Sequence, residues 1–375
     1  MGTKPHRGGR VYSLLDMTPT PAIRVRALRA LAAALLFPSI LAAASTPAPA
    51  AAQPPERAPK GSVTVPIFRD VAIHFHSDSA AKFTTPGVTA EANGRVARTT
   101  VTLPGARKPQ RITALVTIRP VPKSDRDVAD RYDRAGNVRL IVDGGPDLEL
   151  VRFMTAYGGR TEYEVDVSHL APLLQGRRTF RAYVDTWVSP AWRVDFSLRY
   201  VPADSFPAPA WVAPLYYSES FHAEQRDGGD SVTVTIPPGL ARVVMKYVST
   251  GHCTDGRDED EFISKANVIS VDGVVVARFH PWRDDCRKFR DLNPYCARWT
   301  DGSWSSDYSR SGWCPSQDVP PVEFDLSDHL TPGTHSVRFA VEGMRPKNAE
   351  GHYGYWRLSA CLVGWDKPPA LWRNE

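Results

Sequence analysis

The chain has 375 residues, of which 42% are hydrophobic and 23% charged, with 33 prolines and 26 glycines. That length points to two domains, and the frequent turn residues favour many short strands over a helical fold; the apolar content excludes a polytopic membrane protein. The formal net charge of +5 makes no case for nucleic-acid binding: residues 1–52 hold six basic side chains against one acid, Asp16, and that surplus of five equals the whole.

In chain order, Arg24, Arg26 and Arg29 precede an apolar run from Ala30 to Ala44, broken only by Pro38 and Ser39, and small residues follow to Ala52. Residues 1–52 are therefore read as a secretory leader cut near Ala50–Gln53, with Met17 an alternative start, and the run is too short for a stable membrane span. Residues 53–63 are expected to be a flexible entry. Strand-like runs then recur: Val65–Phe75, Arg95–Leu103, Arg111–Val121, Asn137–Val142, Leu148–Thr155, Tyr163–Val167, Thr179–Trp187 and Arg193–Val201. After a proline-rich link near 203–209 come Ala210–Tyr217, Ser231–Ile236, Ala241–Val248, Asn267–Phe279, Val322–Leu326, His335–Val341 and Tyr355–Val363. Many alternate apolar and polar residues, which is the pattern of half-buried strands. One short helical turn is expected over Leu170–Leu174.

The two halves echo each other. Glu164-Val-Asp166-Val-Ser168, then Gly176 and Arg181 to Asp185, match Glu323-Phe-Asp325-Leu-Ser327, then Gly333 and Arg338 to Glu342. Upstream, Asp130, Asn137 and Asp143-Gly144 match Glu261, Asn267 and Asp272-Gly273. One β unit thus occurs twice. The fold class is all-β, with two tandem antiparallel jelly-roll sandwiches side by side, an N-terminal one over 64–203 and a C-terminal one over 210–370. The repeat puts Asp130 opposite Glu261, and Asp185 opposite Glu342, along the shared cleft, a favoured place for a ligand.

Several motifs have bland alternatives. Asp258 to Glu261 is a run of four acids that could be a solvated face or part of a calcium loop. His74 and His76 alternate and could bind a transition metal, although such pairs are commonly just exposed. Trp299, Trp304 and Trp313 lie with Tyr308 and Arg310 in a polar, glycine-containing stretch. That composition fits either a disulfide-pinned loop or a sugar-gripping surface. All five cysteines (Cys253, Cys286, Cys296, Cys314, Cys361) fall in the second half, without CxxC or Cys/His zinc spacing, so an exported chain should oxidise them where geometry permits. No nucleophile elbow, phosphate loop or dinucleotide glycine pattern occurs, so an enzyme of this kind must use carboxylates and water.

With these residues in view, the chain resembles the bacterial peptide-N-glycosidase F family from about residue 64 to 365. The resemblance is strongest from Pro281-Trp-Arg-Asp-Asp-Cys286 through Arg310-Ser-Gly-Trp313-Cys314-Pro315, and is supported by Asp260-Glu261-Phe262 and by the shorter Asp130-Arg131 and Asp185-Thr186-Trp187. It implies two jelly rolls with a cleft site, and hydrolysis of the amide between asparagine and the first N-acetylglucosamine of an N-linked glycan. It also implies no cofactor or metal, and a monomer acting on an N-glycosylated protein or peptide outside the cytoplasm. Laid on this sequence, the family's roles fall on Asp130 as catalytic aspartate, Glu261 as second-domain acid and Asp185 as third acid. Arg131, Trp187, Arg310 and Trp313 become substrate-contacting residues. The resemblance pairs Cys286 with Cys314 and leaves two of Cys253, Cys296 and Cys361 for a second bridge. The sequence departs from the pattern in having Ala129 where the family has a tryptophan before the catalytic aspartate, Asp185 where it has glutamate, and no tryptophan near Gly251-His252. The family's first-domain cysteine pair is absent, and Glu259 and Ile263 stand where cysteines flank the second-domain glutamate.

Other readings of the same sequence are a non-catalytic glycan or cell-surface binding protein on the same scaffold, and a two-carboxylate glycosidase, which would leave hydrolysed sugar. A double-sandwich copper monooxygenase would need histidine sets that only His74 and His76 suggest.

Overall fold

Strict alternation sets the strand faces. In β11 (Trp192–Pro202), Trp192, Val194, Phe196, Leu198 and Tyr200 point inward, while the residues between them are half-buried. Its partner β4 (Gln110–Pro120) buries Ile112, Ala114, Val116 and Ile118 in the same rhythm. A period of two places all such residues on one sheet face, and a fully buried aromatic or branched side chain contributes about 1.5–3 kcal/mol. In this computed structural model the described residues are 61–76, 84–105, 109–204, 206–224, 229–253 and 260–367. The expected leader, most of the entry segment and the acids Asp258 and Glu259 lie outside them.

Four main antiparallel sheets follow. The first sandwich pairs a sheet in the order β1 (Val63–Ile73), β11, β4, β9 (Thr161–Asp166) with a sheet in the order β2 (Val88–Glu91), β3 (Val96–Leu103), β10 (Gly176–Val184), β7 (Ala135–Leu140), β8 (Leu148–Met154). The second pairs the order β12 (Trp211–Phe221), β19 (Gly354–Trp365), β14 (Arg242–Cys253), β17 (Val322–Asp325) with the order β13 (Gly229–Ile236), β18 (Gly333–Val341), β15 (Asn267–Val271), β16 (Val274–Phe279). The internal repeat is thus a repeat of topology. β3-β10-β7-β8 corresponds strand for strand to β13-β18-β15-β16; Asn137 pairs with Tyr183 and Asn267 with Val341, so with Val184 aligned on Val341 the two registers differ by one residue.

The sandwiches meet where β8 lies against β12 and β19. One apolar cluster runs across the seam, joining Leu150 and Val151 to Val212, Val244 and Val363. A buried polar lock stands beside it. Arg152 donates to both Glu149 oxygens (2.9 and 2.7 Å), to Thr250 Oγ1 (3.2 Å) and to the Arg357 carbonyl, and Ser359 Oγ donates to Glu149 at 2.5 Å. Such a lock fixes the register of the two halves, because sliding either half strands a buried charge.

The structure revises some element assignments. Asn267–Phe279 is two strands, since Asp272 and Gly273 both take positive φ (49° and 83°) and close a hairpin. The helical turn expected over Leu170–Leu174 lies over Ser168–Leu170, and a second 3-10 segment spans Cys286–Leu292. Short strands β2, β5 (Pro122–Ser124) and β6 (Asp127–Val128) had no alternation long enough to reveal them.

Candidate active site

Two loops, one from each sandwich, bring acids together. In the first sandwich, residues 132–134 lead into β7 and are clasped by buried Thr155. Its Oγ1 accepts from Arg134 N (2.8 Å) and donates to the Tyr132 carbonyl (3.2 Å), and its own amide donates to the Arg134 carbonyl at 2.9 Å. This holds Asp133 at the strand entrance. In the second sandwich, Ser311 N donates to the Glu261 carbonyl (2.8 Å), and Arg310 exchanges backbone bonds with Arg283. Gly312 has φ 84°, and a Cβ there would stand 2.3 Å from the Ser249 carbonyl, so only glycine fits the turn that aims Arg310 inward.

The acids meet on one guanidinium. Arg310 Nη1 lies 2.6 Å from Glu261 Oε1 and 3.2 Å from Asp133 Oδ2. Its Nη2 donates to the Ser305 carbonyl (2.8 Å) and to Tyr157 Oη (3.3 Å). The guanidinium lies over two rings, Trp313 at 4.4 Å and Phe262 at 4.9 Å, with its side chain 3% exposed. These contacts help to hold its donor fork in place. One positive charge thus faces two carboxyls. Burial pushes Glu261 up to about 7; Arg310 opposes this and Asp133 reinforces it. Glu261 Oε2 also accepts from the Cys253 thiol at 3.5 Å. Asp133 Oδ2 and Arg310 Nε are buried without a hydrogen-bond partner, leaving an acceptor and a donor for a small polar molecule.

The sequence-predicted residues fall in different places. Glu261 and Arg310 are together at this centre. Asp130 is not. Its carboxylate is fully enclosed and accepts from Arg134 Nε (2.9 Å) and Nη2 (3.0 Å), Thr186 Oγ1 (2.7 Å), Trp192 Nε1 (3.4 Å) and Tyr132 N (3.2 Å). Both Asp130 oxygens are engaged by these donors, and the first-sandwich acid beside Arg310 is Asp133. Arg131 is exposed, paired with Asp127 (2.7 Å) and stacked on Tyr295 (5.1 Å). Arg134 is the arginine that lines the cleft, against Trp187 (4.9 Å) and Tyr132 (5.0 Å). Trp187 is 55% exposed, open to a ligand. Trp313 is 3% exposed, with its Nε1 donating to the Gly251 carbonyl (2.9 Å), so it backs Arg310 and cannot touch a substrate directly.

Asp185 is buried too. Arg95 holds one oxygen (3.0 Å) and Arg357, reaching over from β19, holds the other (2.7 Å). It therefore ties the sandwiches together and fixes Arg95 under Phe75 and Trp187. His252 fills the region where the resemblance lacked a tryptophan, stacked between Trp313 (5.5 Å) and Tyr355 (5.3 Å), and burial with three nearby arginines keeps it neutral. Cys286 and Cys314 form the disulfide; Cys253, Cys296 and Cys361 form none, so the second bridge does not exist. His74 is buried and His76 exposed, so they do not share a face for a metal.

The sequence does contain the signal for Asp133. Asp-Arg occurs three times, at 125–126, 130–131 and 133–134, and only the last doublet abuts strand β7. With that doublet in place, an aromatic residue, Tyr132, precedes the aspartate, and Ala129 ceases to be a departure.

Comparison with known proteins agrees with this architecture. Residues 217–363 match the family profile described as peptide-N-glycosidase F, C terminal, and residues 143–200 match peptide-N-glycosidase F, N terminal. Nothing matches among curated protein sequences. Among solved structures, PNGF-II aligns with TM-score 0.73 and 23% identity over 82% of this chain and 65% of that one, so the chain spans just under two thirds of it. PNGase F, a glycosylasparaginase from Flavobacterium meningosepticum, aligns with TM-score 0.62 and 18% identity over 82% of this chain and 96% of that one. At these identities the structural likeness speaks for the fold. The two profile matches together take in more than half of the residues, and the chain belongs to the peptide-N-glycosidase F family.

Proposed function

We propose that the protein is a peptide-N-glycosidase: it hydrolyses the amide between asparagine and the first sugar of an N-linked glycan. The observation that carries this reading is the sharing of Arg310 by Asp133 from one sandwich and Glu261 from the other, at 3.2 and 2.6 Å. Water placed against the Asp133 carboxylate gives up a proton to it and attacks the asparagine carbonyl. The Arg310 guanidinium lies beside the charge that develops there. Glu261, pushed up to about 7, can hold a proton near neutral pH and pass it to the departing nitrogen as the carbon–nitrogen bond breaks. Asparagine becomes aspartate, and the glycosylamine loses ammonia to water. Tyr132 and Trp187 offer exposed ring faces to the sugar, while Arg134 and Arg95 hold Trp187 in place. Asp130 and Asp185 act through Arg134, Arg95 and Arg357. The Cys286–Cys314 bridge supports an exported, oxidising location, in line with the leader read from the sequence.

Incubation of an N-glycopeptide with the mature chain tests this. Release of the glycan with conversion of asparagine to aspartate, abolished in Asp133→Asn, is expected. Tight glycan binding without release would favour the binding-protein reading, which the exposed Tyr132 and Trp187 also fit.

A further inference from the structure

The Cys286–Cys314 loop carries aromatic rings that the reaction at Asp133 and Glu261 does not use. Tyr308 and Trp299 are 39% and 41% exposed. Large rings left in water beside a reaction centre call for an explanation that scattered surface leucines do not. Tyr308 stands edge-on to Phe262 at 6.1 Å, and Phe262 in turn covers Arg310. Through Phe262 the loop is therefore continuous with the acid pair.

The loop is built to hold the Tyr308 ring and the backbone at Trp299 still. Ser303 Oγ bonds Tyr308 Oη at 3.0 Å, and Ser303 N and Oγ both donate to Asp301 Oδ1, at 2.9 and 2.7 Å. Trp299 N donates to the Ser303 carbonyl (2.9 Å) and Gly302 N to the Trp299 carbonyl (3.0 Å), which closes a tight turn around Trp299. The base is fastened by the disulfide, by the Arg290–Asp307 pair and by Ser305 Oγ, which accepts from Ala297 N at 2.9 Å. Rigid aromatic side chains lose little entropy on binding.

We infer that Trp299 and Tyr308, with Asp301, form a second carbohydrate subsite that takes sugar residues beyond the one attached to asparagine. This rests on the reading of the cleft as an N-glycan site. A pyranose offers an apolar C–H face to a ring and hydroxyls to a neighbouring carboxylate, and this loop presents both. An extended peptide would instead look for open backbone groups. Here the bridges Arg298–Trp304 and Arg283–Arg310 already occupy the loop backbone, so ring faces and side-chain oxygens are what it displays. The first-sandwich rim, with Tyr132 and Trp187, serves the reacting sugar, and the second-sandwich rim serves the outer ones.

Titration of the full chain with free glycans, read by calorimetry, tests the subsite without requiring turnover. A branched high-mannose oligosaccharide should bind more tightly than chitobiose, and Trp299→Ala with Tyr308→Ala should weaken it roughly tenfold, with chitobiose affinity unchanged. Both residues are exposed, so unchanged melting temperatures are expected in the same preparations. Equal affinity of the wild type for the two ligands, or the same preference in the double variant, overturns the subsite. So does an equal loss for both ligands, which would put the rings at the reacting sugar. A chain that shows the predicted preference yet never converts asparagine to aspartate leaves the subsite standing and removes the amidase.

Discussion

Glu261 gives the reaction centre a thermodynamic signature. Its carboxyl is only 16% exposed, and burial raises it from the 4.5 of an ordinary glutamate to about 7 despite Arg310. The folded protein therefore holds this proton more tightly than the unfolded chain does. The associated stability is complete below about pH 4.5 and is lost as pH rises through 7. At 1.36 kcal/mol per pH unit the interval corresponds to on the order of 3 kcal/mol. Glu261→Gln removes the titration while keeping the shape. Melting or urea unfolding of the two proteins between pH 4.5 and 8 should show the variant gaining on the wild type as pH rises, by up to about 3 kcal/mol, or on the order of 5 °C. Parallel curves would show that Glu261 titrates as in water. A difference growing toward acid would show Arg310 winning over burial, and either result refutes the reasoning.

Three further outcomes follow from the same geometry. Asp133→Asn should lower turnover by roughly 10²–10⁴-fold with melting unchanged, whereas Asp130→Asn should destabilise by about 2–4 kcal/mol because Arg134 loses its buried partner; kinetics and melting on both variants separate the two aspartates. Arg152→Ala leaves Glu149 enclosed at the seam with Ser359 as its remaining described hydrogen-bond donor, and should cost about 3–5 kcal/mol in urea unfolding. Gly354→Ala would bring a methyl group to 1.7 Å from Asp260 Oδ2, the residue preceding Glu261, and should lower both stability, by about 1–3 kcal/mol, and activity.

The sheets were legible in the sequence because long strands on a two-layer core must alternate: β4 and β11 announce themselves. The internal repeat was legible for a related reason, since equal spacing from Gly176 to Val184 and from Gly333 to Val341 reflects equal strands in equal places. The Asp-Gly pair at 272–273 is itself a hairpin signal inside the run Asn267–Phe279. Of the candidate site residues, Glu261 and Arg310 stand in stretches with distinctive neighbours, and the structure brings these two together. The Asp-Arg doublets at 130–131 and 133–134 could not be ranked locally. What separates them is contact with Thr186 and Trp192, 56 and 62 residues away, which encloses Asp130, and contact with Arg310 from the other sandwich, which selects Asp133. Asp185 is a similar case: its two arginine partners come from β19 and from the entrance to β3, and no local pattern predicts that both of its oxygens are taken.

The most direct test of the account is hydrolysis of an N-glycopeptide in heavy-oxygen water, followed by mass spectrometry of the peptide. Attack by water held at Asp133 predicts heavy oxygen in the new aspartate, entering about a hundredfold or more slower when the Asp133→Asn variant is used. A peptide that keeps its asparagine, with a sugar stump or an intact glycan, would contradict it.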